Sequence, residues 1–213
     1  MDDRTHRFYD THSAEVAARY ESAGGGLSEL FSVLFRAGQS VLDIGAGSGR
    51  DMDRLQALGV DAWGLEPSDE LRTEAIRYHP ELKDRLIAGA LPSDPGALEG
   101  RTFDGVILSA VIMHIPDADL LDFAVAVRAL LKRHGRLVVS TSTERDDVNQ
   151  TTSRDAGGRL YRLRGADEVQ RLFTRVGFRL ESRCVSEDGL GRPGMKWATL
   201  VFCVRGSAAR ARH

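Results

Sequence analysis

The chain has 213 residues, with 29 lysines and arginines against 31 aspartates and glutamates, for a formal net charge of -2. So even a balance excludes a global electrostatic pull toward nucleic acid or an anionic membrane as the organising feature. With 42% hydrophobic residues it can bury a large core without disulfide or metal staples, and it reads as one globular domain with a small appendage.

The start, "MDDRTHRFYD", is charged from its second residue and lacks the apolar centre of a signal peptide, so the cytoplasm is the expected compartment. "FYDTHSAEVAARYES" at 8–22 is alanine-rich and predicts a helix, with "AGGG" at 23–26 as a flexible joint. Leu27, Leu30, Phe31, Leu34 and Phe35 recur at helical spacing and predict an amphipathic helix. Five short apolar runs follow: "SVLDIGA" at 40–46, "DAWGLEP" at 61–67, "LIAGA" at 86–90, "FDGVILSA" at 103–110 and "RLVVST" at 136–141. Near-continuous apolarity of this kind marks strands buried on both faces. Between them, Met52, Leu55 and Leu58 run helically to Gly59. Leu120, Phe123, Val127 and Leu130 run to "KRHG", whose basic residues and glycine are expected to stop that helix. Val169, Leu172, Phe173 and Val176 predict a last helix, ended by Gly177.

"FRLESRCVS" and "MKWATLVFCV" then predict an antiparallel hairpin across "EDGLGRPG", and the polar end "RGSAARARH" is expected to be disordered. The strand–helix rhythm predicts an α/β fold. Its sheet has about seven strands, mostly parallel, with helices on both faces and the hairpin closing one edge. The longest apolar run, at 106–113, is too short to span a bilayer. Cys184 and Cys203 have no metal-ligand spacing around them and read as buried core thiols; no metal site is expected.

The stretch with the clearest chemistry is "VLDIGAGSGRD" at 41–51, where three glycines alternate just as a buried strand ends. Without Cβ atoms the backbone can turn sharply, take positive φ and approach a ligand closely. A helix starting near Ser48 would aim its N-terminal N–H groups at that ligand, while Gly49 could simply allow close packing. Asp43 adds a carboxylate at the same corner, suited to an ammonium group. Glu66 closes the second strand 21 residues after Gly45, where an acidic side chain typically accepts from both ribose hydroxyls. The dinucleotide pattern G-x-G-x-x-G fits poorly, because Arg50 occupies its third small position.

Four blocks in order, "VLDIGAGSG", "GLEPSDE", "FDGVILSAVIMHI" and "LLKRHGRLVVST", resemble the class I S-adenosylmethionine (SAM)-dependent methyltransferase superfamily over residues 41–141. The resemblance implies a Rossmann-like sheet, SAM as cofactor and S-adenosylhomocysteine as product. It also implies a helical lid at 1–26, a SAM-binding domain at 27–206 with a substrate-side insert at 143–165, and a tail at 207–213. Asp43, Gly45, Ala46, Gly47 and Ser48 would lie beneath the methionyl and ribose parts. Glu66 would hold the ribose, with Pro67 and Ser68 beside the adenine. Ala90 and Leu91 stand where the superfamily normally puts a polar adenine partner, so that base would be held by backbone and shape. Ser109, Ala110 and residues 111–114 would line the transfer face, Met113 being read as core. Tyr9 and Tyr20 match lid tyrosines that cover SAM, or else pack as ordinary aromatics.

A sulfonium methyl is already activated, so the protein's task is positioning and water exclusion, with a base only if the nucleophile must lose a proton early. His114 could be that base, orient the acceptor, or hydrogen-bond a loop carbonyl. Arg154, Arg159, Arg162 and Arg164 surround Tyr161 in a long polar insert. They could hold an anion or form a solvated edge. Trp197 and Arg192 could approach from the hairpin, whereas Glu144, Asp146 and Asp147 read as a charged solvated loop. No Asn-Pro-Pro-Tyr or Asp-Pro-Pro-Tyr follows the fourth strand, no Pro-Cys nucleophile is present there, and no cysteine cluster occurs. These absences weigh against DNA amino methylation, covalent cytosine chemistry and iron–sulfur radical chemistry. The expected activity is methyl transfer to a small molecule, with anionic metabolites among the candidates. The alternatives are an RNA or protein acceptor, a SAM-binding module without catalysis, and a dehydrogenase, which would bind NAD more tightly than SAM.

Overall fold

A computed structural model describes residues 2–24, 26–98, 100–188, 192 and 194–205 of the chain. Seven strands form one sheet: β1 (Ser40–Ile44), β2 (Asp61–Glu66), β3 (Leu86–Ala88), β4 (Phe103–Ser109), β5 (Leu131–Glu144), β6 (Phe178–Glu187) and β7 (Lys196–Val204). Their order is β3-β2-β1-β4-β5-β7-β6, with β1 to β5 parallel and β7 antiparallel to both of its neighbours. Strand order reverses between β1 and β4, and the crevice beyond their carboxyl ends is where such a sheet holds a ligand.

Both faces of the sheet are covered, which is why the strands read as unbroken apolar runs. Leu42, Val106 and Leu108 meet Phe123 and Val127 of α6 (Leu120–Ala129) and Phe173 of α7 (Ala166–Arg175). Val41 and Ile107 turn the other way, toward Phe31, Phe35, and Met52 and Leu55 of α4 (Arg50–Ala57). The period-two alternation of a strand sorts neighbouring residues onto the two layers.

Several local expectations are corrected. The N-terminal segment is two helices, α1 (Asp3–Thr11) and α2 (Ser13–Ser22), separated at His12 with φ -119° and ψ 24°. Asp2 caps α1 by accepting the Thr5 N–H at 3.0 Å. The predicted amphipathic helix is a 3-10 turn at Gly26–Leu30 followed by one α turn, α3 (Phe31–Leu34). Its buried face, Leu27, Phe31 and Phe35, is the one the spacing marked. α4 starts at Arg50 rather than Ser48, because Gly49 is left-handed at φ +82° and a Cβ there would stand 2.7 Å from Leu82 Cδ1.

"KRHG" does not stop α6, which has already ended at Ala129. Leu131 pairs with Phe103 and Arg136 with Gly105, so residues 132–135 bulge out of β5 opposite a single residue of β4. His134, at φ +63°, makes that bulge possible. Neither cysteine is a buried core thiol. Cys184 is exposed, because β6 is the edge strand and its second half faces solvent, and Cys203 is half-buried; both are free. Residues 189–191 and 193 of the hairpin turn and the expected tail at 207–213 lie outside the described residues. Among the described residues no helix is long and apolar enough to cross a membrane.

Candidate active site

At the carboxyl ends of β1, β2 and β4 lies a cavity of about 560 Å³. Gly45 and Gly47, at φ +71° and +57°, carry the β1–α4 corner around its floor. A Cβ on Gly45 would stand 2.7 Å from Val111 Cγ2, and one on Gly47 would press at 3.3 Å against the Tyr20 ring. Only glycine combines that backbone with those approaches.

Asp43 sits at the edge of this corner, 1% exposed, and its Oδ1 has no hydrogen-bond partner among the described residues. Burial pushes its pKa well up, and the Asp51 and Glu66 carboxylates push it further, against Arg50. An orphaned buried carboxylate oxygen is costly unless something donates to it. Glu66, also buried, accepts the Gly47 N–H on Oε2 at 2.9 Å and the Ser68 N–H on Oε1 at 3.0 Å. Burial raises its pKa and these two donors hold it back. Ala46, Ser48, Pro67, Ala90, Leu91, Ser109 and Ala110 line the same cavity. Ser68 does not. Its hydroxyl donates to Asp10 at 2.6 Å and accepts the Leu71 N–H, capping α5 (Asp69–Tyr78).

The roof comes from the N-terminal helices. Tyr20 lies over the glycine corner, and Arg50 grips its carbonyl at 2.8 Å, so α2 is fastened to the start of α4. Tyr9 is buried, with its hydroxyl 3.1 Å from His114 Nε2. His114 Nδ1 is 2.6 Å from the Leu160 carbonyl, which can only accept. The imidazole proton is therefore on Nδ1, and Tyr9 donates to Nε2. Burial lowers the His114 pKa to about 4; the Leu160 bond opposes this and the Arg159 and Arg145 charges add to it. His114 should stay neutral at pH 6 in a ¹⁵N NMR titration, with the Nδ1–H tautomer. Its contribution to stability is present above the unfolded value of 6.5 and is lost as pH falls toward about 4. A charged ring at pH 6 would contradict this geometry.

The insert is not a solvated edge. Leu160 donates its N–H to Thr5 Oγ1 at 2.8 Å, and Arg154 reaches Asp2 at 2.7 and 2.9 Å, which stitches the insert to α1. The Arg154 guanidinium holds the Asp2 carboxyl well below the usual range. Arg164 is buried and donates to the Ile112 and Ile115 carbonyls and to Asp117 at 2.8, 2.9 and 2.7 Å. Arg162 stays at the surface on Asp117. Arg159 and Tyr161 line the cavity, as do Arg192 and Trp197; the Trp197 Nε1–H donates to Asp188 at 2.8 Å.

Arg145 also lines the cavity, at a position the sequence did not mark as part of a site. It is the first residue beyond β5, flanked by the acids read as loop, and that position at a strand's carboxyl end was the available signal. Asp147, one of those acids, holds Arg145 at 2.8 and 2.6 Å.

An antiparallel β7 between β5 and β6, with a glycine corner at the strand-order reversal, defines the class I methyltransferase fold. The chain belongs to the methyltransferase-domain family, whose profile matches residues 16–183. It is similar to an uncharacterized methyltransferase of Geobacillus sp. (27% identity; 65% of this chain, 61% of the relative). It is also similar to the tRNA U34 carboxymethyltransferase of Stutzerimonas stutzeri (32% identity; 70% of this chain, 48% of the relative). The chain thus spans less than two thirds of the length of either. The magnesium protoporphyrin IX methyltransferase of Synechocystis, solved with bound SAM, superposes with a TM-score of 0.70 at 16% identity, covering 96% of this chain and 98% of that one.

Proposed function

We propose that this protein transfers a methyl group from SAM to a small molecule, most simply an anionic metabolite. The observation that carries the reading is Asp43 Oδ1, a buried oxygen without a donor among the described residues, beside a backbone corner that lacks Cβ atoms at Gly45 and Gly47. SAM brings an α-ammonium to such an oxygen, and the residues present fit the rest of it. Gly45, Ala46, Gly47 and Ser48 would underlie the methionyl and ribose parts. Each Glu66 oxygen accepts one N–H and keeps a further lone pair for a ribose hydroxyl. Pro67, Ala90 and Leu91 would meet the adenine by shape.

When bound, SAM supplies an electrophilic methyl for in-line displacement. The chain's own work is then positioning: Tyr9 and Tyr20 exclude water, and Ser109, Ala110 and His114 border the space left for an acceptor. His114 already accepts from Tyr9 and titrates near 4, so it holds the roof in place rather than taking a proton at neutral pH. The cavity's volume lies within the range of about 300–1,000 Å³ typical of a single drug-sized ligand. Since it must take cofactor and acceptor together, the acceptor is small.

Calorimetry with SAM and S-adenosylhomocysteine, followed by a methyl-transfer screen, tests this. Both should bind, and label from SAM should enter small molecules. Incorporation into tRNA instead would favour the RNA reading that the Stutzerimonas relative suggests. The ion pairing of Arg154, Arg159, Arg162 and Arg164 speaks against a basic RNA face. Binding without turnover on any acceptor would leave a cofactor-binding module.

A further inference from the structure

Two guanidinium groups line the cavity from separate segments, Arg145 just past β5 and Arg159 in the insert. Both lie against one ring, their central carbons 3.9 and 5.2 Å from the centre of Tyr161. Carboxylates fix their orientation from behind. Asp147 takes Nε and Nη2 of Arg145, and Asp155 takes Nε and Nη2 of Arg159 at 2.8 and 2.6 Å. Among the described residues neither Nη1 has a hydrogen-bond partner, so each arginine keeps one donor edge.

We propose that these two edges form an anion subsite for the methyl acceptor, and that the acceptor is a small planar molecule bearing one carboxylate; this rests on the methyl-transfer reading above. Charge balance argues for a carboxylate. Asp155 and Asp147 each pair with their arginine at 2.6 Å and neutralise it at close range. The two arginines and two carboxylates carry no surplus formal charge together, so the subsite offers donor edges that suit a carboxylate better than a phosphate dianion. Two single donor edges likewise match two carboxylate oxygens. Planarity follows from Trp197, whose indole lines the cavity as a flat wall. The two arginines add to the depression of the His114 pKa, and their donor edges disfavour an ammonium-bearing acceptor.

The test is calorimetry on protein saturated with S-adenosylhomocysteine, titrated with a panel of aryl carboxylates that includes 4-hydroxybenzoate and 2-naphthoate, their primary amides, and matching aryl phosphates. The carboxylates should bind roughly tenfold or more tightly than the amides, and more tightly than the phosphates. Arg145→Gln and Arg159→Gln should each erase the preference over the amide while S-adenosylhomocysteine binds as before. If a glutamine variant does not fold, Arg145→Lys and Arg159→Lys replace it, and they should reduce the preference by losing the fixed donor edge. Carboxylates and amides bound alike across the panel, phosphates bound tightest, or a preference that survives both substitutions would each overturn the proposal. Should S-adenosylhomocysteine itself fail to bind, the cofactor reading falls, and the carboxylate preference is then measured on the protein alone.

Discussion

Glu66→Ala is expected to weaken SAM binding by about 1–3 kcal/mol, the range for losing hydrogen bonds to a charged acceptor. Two losses combine. The ribose would lose its acceptor, and the Gly47 and Ser68 N–H groups would lose the carboxylate that now ties the glycine corner to the end of β2. Glu66→Gln separates them. Glutamine offers one oxygen and one NH₂, and that NH₂ would confront an N–H donor, so the amide should recover little of the affinity. If Gln restored full binding, or if Ala left SAM affinity unchanged in calorimetry, the ribose would have to lie elsewhere.

The same corner predicts a proton linkage. Asp43 and Glu66 both have folded pKa values above their ordinary ones. The stability linked to them is present below the unfolded pKa and is lost as pH rises through the folded pKa. An ammonium beside Asp43 favours its charged form and lowers that pKa, so at any pH where the free protein holds the Asp43 proton, binding should release it. Calorimetry in two buffers of different ionisation enthalpy reads the release directly.

What could be read from the sequence follows from the range of the forces involved. The sheet was legible because two-sided burial writes itself into consecutive residues, as in Val41 and Leu42, which face opposite layers. The glycine corner was legible for the same local reason: positive φ at Gly45 and Gly47 leaves a mark at those positions themselves. Other features depend on partners far along the chain. Nothing near Arg145 announces that it stacks on Tyr161, and nothing near His114 announces that Tyr9 and Leu160 fix its tautomer across separations of 105 and 46 residues. "KRHG" misled for a related reason. Its composition suits a helix end, and only pairing of β5 with β4 turns it into a bulge.

Arg164→Met carries the largest expected cost in stability, about 2–4 kcal/mol. Methionine keeps apolar volume, so the substitution isolates the guanidinium. That group is buried and supplies the donors for the Ile112 and Ile115 carbonyls, and each orphaned carbonyl costs about 1–3 kcal/mol. Part is returned, because burial itself penalises the charge and lowers the Arg164 pKa, while half-exposed Asp117 rehydrates at little cost. At about 2–4 °C per kcal/mol for a chain of this size, the melting temperature should fall by roughly 5–15 °C. Arg164→Lys keeps the charge, but a single ammonium cannot serve carbonyls three residues apart and Asp117 together, so it should recover less than half of the loss. The carbonyls belong to the turn that carries His114, whereas the glycine corner hangs from β1 and β2. Acceptor affinity should therefore fall in Arg164→Met while SAM affinity stays near that of the parent. An unchanged melting temperature would mean that water reaches those carbonyls in solution and that the turn is held by something other than Arg164.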